Sequence, residues 1–168
     1  DNLCTYFNSI ANSLESLQKD LNEEIYSSVS SVNAIGEKIA LLNKEINQIE
    51  VRGGYANELR DERALLLDEL SGMVAVTTQE FEVPNSYGAN LGGTNFTVFI
   101  NGQILVDGND YRSLECISDK YKNNQTDAEG LYEIKWADTG TDFAATTGTA
   151  GGTLKALFDL RDGNNTES

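Results

Sequence analysis

Residues 3–49 read LCTYFNSIANSLESLQKDLNEEIYSSVSSVNAIGEKIALLNKEINQI, and their apolar spacing decides the fold. Leu3, Phe7, Ile10, Leu14, Leu17, Leu21, Ile25, Val32, Ile35, Ile39, Leu42, Ile46 and Ile49 recur mostly at steps of three and four, the repeat of one helix face. The step through Leu17, Leu21 and Ile25 is a stutter, and Ser28 stands where the next apolar residue is due. The spacing therefore predicts a helix about 70 Å long, at about 1.5 Å per residue, bent around Ser27 to Ser31.

Arg52-Gly53-Gly54 ends this helix, because glycine readily takes the left-handed cap conformation. Asn57 then reads as the N-cap of a second helix, with Glu58, Asp61 and Glu62 in its positive first turn. Leu59, Leu66 and Leu70 mark its apolar face, and it stops near Ser71-Gly72. A short connection between amphipathic helices predicts an antiparallel hairpin. The second helix is much the shorter, so the seam from Leu3 to about Ile25 calls for other cover. That cover is either a partner or further parts of the same polypeptide.

After Gly72 the period changes to two. Val74, Val76 and Thr78 alternate with their neighbours, as do Phe81 and Val83 up to Pro84. Phe96 to Val106 carries Asn101-Gly102 between two β-prone runs, the signature of a tight hairpin. Further strands are predicted at Arg112 to Ile117 and Leu131 to Trp136, around a polar loop from Asp119 to Gly130. Asp138 to Gly152 reads as a Gly/Thr linker, and Thr153 to Leu160 as a last short helix. The expected class is α+β, with a long antiparallel helical hairpin (1–72), a small antiparallel β-rich domain (73–137), a linker (138–152) and the start of a returning helical segment (153–168).

The 168 residues hold 12 Lys plus Arg against 27 Asp plus Glu, a formal charge of −15, and no His. Such a surface repels phosphates, so neither nucleic acid nor anionic membrane is an expected partner. Without His there is no Ser-His-Asp or Cys-His relay and no HExxH zinc helix. No run approaches a membrane span, and Asp1 to Ile10 lack the basic start and apolar core of a cleaved signal. Cys4 and Cys116 lie far apart and read as unpaired, partly buried thiols. The absent initiator Met and the unfinished tail suggest a fragment.

Candidate chemistry is sparse. Asp107-Gly108-Asn109-Asp110 clusters oxygens around a Gly but lacks the spacing and closing Glu of a calcium loop, and reads as a solvated turn. Gly148 to Gly152 precedes a helix without the Gly-Lys-Ser/Thr of a phosphate cradle. Glu23-Glu24, Asp61-Glu62 and Asp68-Glu69 read as solvated helix faces rather than a glycosidase pair. Tyr55, Tyr87, Tyr111, Tyr121 and Tyr132 read as sheet packing. No catalytic, cofactor or metal residues are assigned, and what remains is the apolar seam. A hydrolase in the β region would need two facing acids in a cleft.

Two strings resemble the flagellar hook-associated protein 1 family. Val32 to Ile46, VNAIGEKIALLNKEI, is similar to the family's long helix, and Ala56 to Ser71, ANELRDERALLLDELS, to its second-helix signature. The hairpin from Val98 to Gly108 and the late stretch Gly151 to Gly163 fit in the same order. The resemblance implies a non-enzymatic component that joins hook to filament. It implies export without a cleaved signal to an extracellular flagellum, assembly as a junction ring, and contact with hook protein and the next hook-associated protein. It further implies that Asp61 and Arg63 are packing and inter-helix polar anchors, and that the β region projects outward. A binding or adhesion module on the helical stalk of another appendage or a phage tail is the alternative.

Overall fold

The structure, a computed structural model, describes residues 2–84, 90–118, 127–143 and 151–163, of which 90 and 91 by backbone alone. Helix α1 runs without interruption over Asn2–Glu50, and α2 over Asn57–Met73. The bend expected around Ser27 to Ser31 does not interrupt the hydrogen-bonded helix. Ser30 Oγ donates to Tyr26 O and Ser31 Oγ to Ser27 O, so the hydroxyls bond one turn back within the helix while Val29 enters the core.

The α1–α2 connection turns through Gly53 at positive φ, as expected. Asn57 is not the cap. Ala56 holds that position at φ −103°, ψ 42° without a side-chain hydrogen bond, and Asn57 is an exposed first helical residue. Ala56 is buried against Leu42 and Ile46, with Leu59 and Leu66 beside them, so apolar packing rather than a capping bond fixes the entry to α2.

Beyond the hairpin come β1 (Val76–Pro84), β2 (Asn90–Ile100), β3 (Gln103–Asp107) and β4 (Asp110–Tyr111), an antiparallel sheet in chain order. β5 (Leu114–Ser118) and β6 (Tyr132–Trp136) form a separate antiparallel pair, and α3 spans Gly152–Asp162. The tight turn falls on Asn101-Gly102 with Ile100 opposite Gln103. Most of the predicted loop 119–130, with Tyr121, lies outside the described residues, as do Tyr87, Gly148 to Ala150 and the tail 164–168.

The β region does not stand away from the rod. Ile25, Val29, Val32, Ile35 and Ile39 of α1 share one core with Leu70, Val98, Ile100, Leu105, Trp136, Leu154 and Phe158, drawn from α2, both sheets and α3. Hence α2 covers the C-terminal part of the seam, while sheet and α3 cover the middle. Gly36 marks one close approach. A Cβ there would lie 3.3 Å from the Leu105 side chain, which rests directly on the helix backbone. Phe143, inside the stretch read as a linker, is 1% exposed and packs edge-on against Trp136.

Candidate assembly surface

Helix α1 has two parts with opposite fates. Leu21 is half-buried, Ile25, Ile39, Leu42 and Ile46 are buried, and α2 adds half-buried Leu59 and Leu66 and buried Leu70. The need for outside cover therefore stops short of Leu21 and Ile25, which the expectation had included. Toward the N-terminus Leu3, Phe7, Ile10, Leu14 and Leu17 remain between 39% and 66% exposed. Every residue from Asn2 to Leu17 is exposed, a stretch of about 24 Å at the helical rise. Tyr6, absent from the expected seam, joins it with its ring edge-on to Phe7 at 6.3 Å. No charged residue occurs from Asn2 to Leu14.

Five amides on α1 position the rest of the molecule against its covered part. Asn33 Nδ2 donates to Leu114 O at 2.8 Å while Leu114 N–H donates to Asn33 Oδ1 at 2.8 Å, so the side chain pairs with the strand as another strand would. Asn47 grips Thr94 through the same two bonds, at 2.8 and 2.9 Å. Asn22 accepts from Tyr132 N–H and donates to Gly130 O, and Gln18 accepts from Ala128 N–H. Asn43, 2% exposed, donates to Phe96 O at 3.3 Å and Gly108 O at 2.7 Å. The steps of four, eleven, ten and four residues keep all five on one side of the helix. Asn is a poor interior helix former, and that is the sequence signal by which the positions could have been noticed.

Arg63 completes the Asn43 site from α2. Buried to 5% exposure, it donates to Asn43 Oδ1 at 2.8 Å, lies 3.7 Å over the Phe96 ring, and has Glu80 at 3.6 Å. Asp61, read alongside it as an anchor, is exposed on the far side of the helix. The second inter-helix anchor is Arg60, which donates to both Glu50 oxygens at 2.7 Å and reaches Glu80 at 3.1 Å. Toward the other end, buried Arg161 of α3 donates to Asn22 Oδ1 and Tyr132 O. The arginines thus join helix to helix and helix to strand.

The Arg60 bond holds the Glu50 carboxyl below the usual glutamate range, against a desolvation cost. At Glu80 burial pushes upward, and Thr94, Arg60 and Arg63 together pull the value below normal. A carboxyl depressed in the folded state contributes stability above its unfolded value, about 4.3, that is lost as pH falls through the folded value. Stability is therefore expected to hold at neutral pH and to fall on acidification below that range. Arg60→Met should flatten the fall, as read from denaturation midpoints across an acid series.

Cys4 is exposed on the uncovered stretch, not partly buried, while Cys116 is half-buried with its thiol pushed up to about 11 by desolvation. Tyr55 is 89% exposed and serves no sheet. Tyr132 stacks on Tyr26 of α1 at 5.7 Å, and Tyr111 is exposed on β4. Among the described residues, no group of three or more Cys, Asp or Glu is placed to hold a metal, and no helix is long and apolar enough to cross a membrane.

The family model described as the flagellar hook-associated protein FlgK helical domain matches residues 1–168. Flagellar hook-associated protein 1 of Bacillus subtilis (strain 168) is 36% identical over 101 residues, 60% of this chain and 18% of that protein. Its counterpart in Salmonella typhimurium is 30% identical over 151 residues, 84% of this chain and 26% of that protein. The chain thus spans about a quarter or less of these relatives. The structure of the flagellar hook junction protein FlgK from Burkholderia pseudomallei superposes with a TM-score of 0.64 at 23% identity, over 91% of this chain and 25% of that one. At that identity the likeness speaks to the fold, a long helix with antiparallel sheets packed along it. With its whole length matched by the helical-domain model, this chain belongs to the flagellar hook-associated protein FlgK family.

Proposed function

We propose that this chain is the assembly-bearing helical domain of a hook–filament junction subunit, a structural part of the extracellular flagellum and not an enzyme. In this reading the subunit is exported without a cleaved signal. It then joins copies of itself in a ring between hook protein and the next hook-associated protein. The observation that carries the reading is the exposed apolar stripe from Leu3 to Leu17, on a stretch free of charge from Asn2 to Leu14. On a chain of charge −15, a surface without acids is where other subunits can approach without repulsion, and depletion of charge is typical of interface centres. The relatives' names supply the flagellar context.

The test uses the full-length protein in a flagellated host lacking its own hook-associated protein 1. Wild type is expected to restore filaments, while the double variant Ile10→Asp, Leu14→Asp is expected to be secreted yet leave bare hooks in electron micrographs. Burying an unpaired carboxylate in an apolar contact costs several kcal/mol, enough to prevent assembly. Filaments on cells carrying the double variant would remove the stripe from the assembly surface. Failure of wild type to restore them would remove the junction role.

A further inference from the structure

Asn101 and Gly102, which turn β2 into β3, are the single Asn-Gly step in the sequence. Both have positive φ, 49° and 76°, as a two-residue hairpin turn demands. Asn101 also fastens the hairpin to the rest of the fold. Its backbone N–H donates to Ala75 O at 2.9 Å, and its Nδ2 donates to Phe143 O at 3.0 Å. The pocket between them, lined by Val74, Ala75, Asn101, Phe143, Leu154 and Lys155 among others, has no room for a water molecule.

We propose that Asn101-Gly102 is a spontaneous deamidation site guarded by the fold, and that its product releases Phe143 from the hairpin. Gly102 has no Cβ to shield its backbone nitrogen. That nitrogen attacks Asn101 Cγ, and the new C–N bond closes a five-membered succinimide. The Cγ–Nδ2 bond breaks, and the Gly102 proton leaves with that nitrogen as ammonia. One water then opens the ring at either carbonyl, leaving Asp or isoaspartate at position 101. Water enters and ammonia leaves, with no oxidant or cofactor.

The fold controls both the rate and the consequence. While Nδ2 is held on Phe143 O and the turn is fixed at both residues, ring closure waits for the hairpin to open. Once formed, an aspartate at 101 can only accept hydrogen bonds and faces the Phe143 carbonyl with no water between. Lys155, the cation on the pocket wall, is engaged by Asp159 one turn along α3. Isoaspartate instead adds a backbone carbon to the two-residue turn that sets Ile100 opposite Gln103.

The full-length protein is incubated in mildly alkaline buffer, native and in denaturant, and its peptides are weighed over time. The peptide containing Asn101 should gain about 1 Da roughly ten-fold or more faster in denaturant, as opening-limited chemistry requires. In denaturant it should also run ahead of the peptides containing Asn8-Ser9 and Asn12-Ser13. Equal rates in both states would overturn the guarding by the fold. No gain at Asn101 in denaturant would overturn the site. Asn101→Asp should melt below Asn101→Gly, which keeps the turn and adds no charge; melting at the wild-type temperature would overturn the release of Phe143.

Discussion

Replacing Asn43 with Leu, a side chain of similar size, is expected to cost about 3–5 kcal/mol, read as a lower midpoint of chemical unfolding at an unchanged slope. The loss is large because three buried groups depend on this one amide. Gly108 O loses its side-chain donor, Phe96 O is left with the Gly108 N–H alone, and Arg63 loses the oxygen that receives its guanidinium. A donor or acceptor left buried without a partner costs about 1–3 kcal/mol, and a buried charge more. Glu80 at 3.6 Å is one-third exposed and shared with Arg60, so it offsets only part of the loss. Replacing Arg63 by Met in the same chain should recover part of it, since an apolar pair leaves no unpaired charge. The double-mutant cycle isolates that coupling. Additive losses would show that Asn43 and Arg63 stabilise the fold independently.

The Asn43 site also marks where sequence reading stops. The three-and-four spacing of Leu3 to Ile49, the Gly53-Gly54 break and the Asn101-Gly102 turn are local signals, and each sits in the structure where spacing and conformational preference put it. Arg63 could be singled out only by resemblance. Its partners lie on α1, β1 and β2, and nothing local in the sequence couples Asn43 to Gly108 or Asn33 to Leu114. The packing of the β region onto α1 was out of reach for the same reason. Alternation shows which side of a strand is apolar but not what that side meets, and here it meets Ile35, Ile39 and Gly36 of α1. Asn57 failed because the capping preference is worth only about 1 kcal/mol, a size that the burial of Ala56 beside Leu42 and Ile46 can match.

The two parts of α1 should separate cleanly when matched truncations are compared in this chain. Ile39→Ala removes a side chain that is 0% exposed and packed within the main core, and is expected to cost about 2–5 kcal/mol. Leu14→Ala removes one that is 58% exposed, and is expected to change stability by no more than about 0.5 kcal/mol. Ala is at least as good a helix former as Leu, so propensity adds no penalty. Under the proposed assembly role, the same Leu14→Ala change in the full-length protein should weaken assembly. Urea denaturation of the two variants settles the comparison. A Leu14→Ala loss equal to that of Ile39→Ala would mean that the chain already buries its own stripe, leaving no apolar surface for another subunit. A small loss leaves residues 3–17 as a helix face whose hydrophobic contribution is realised only when a partner covers it.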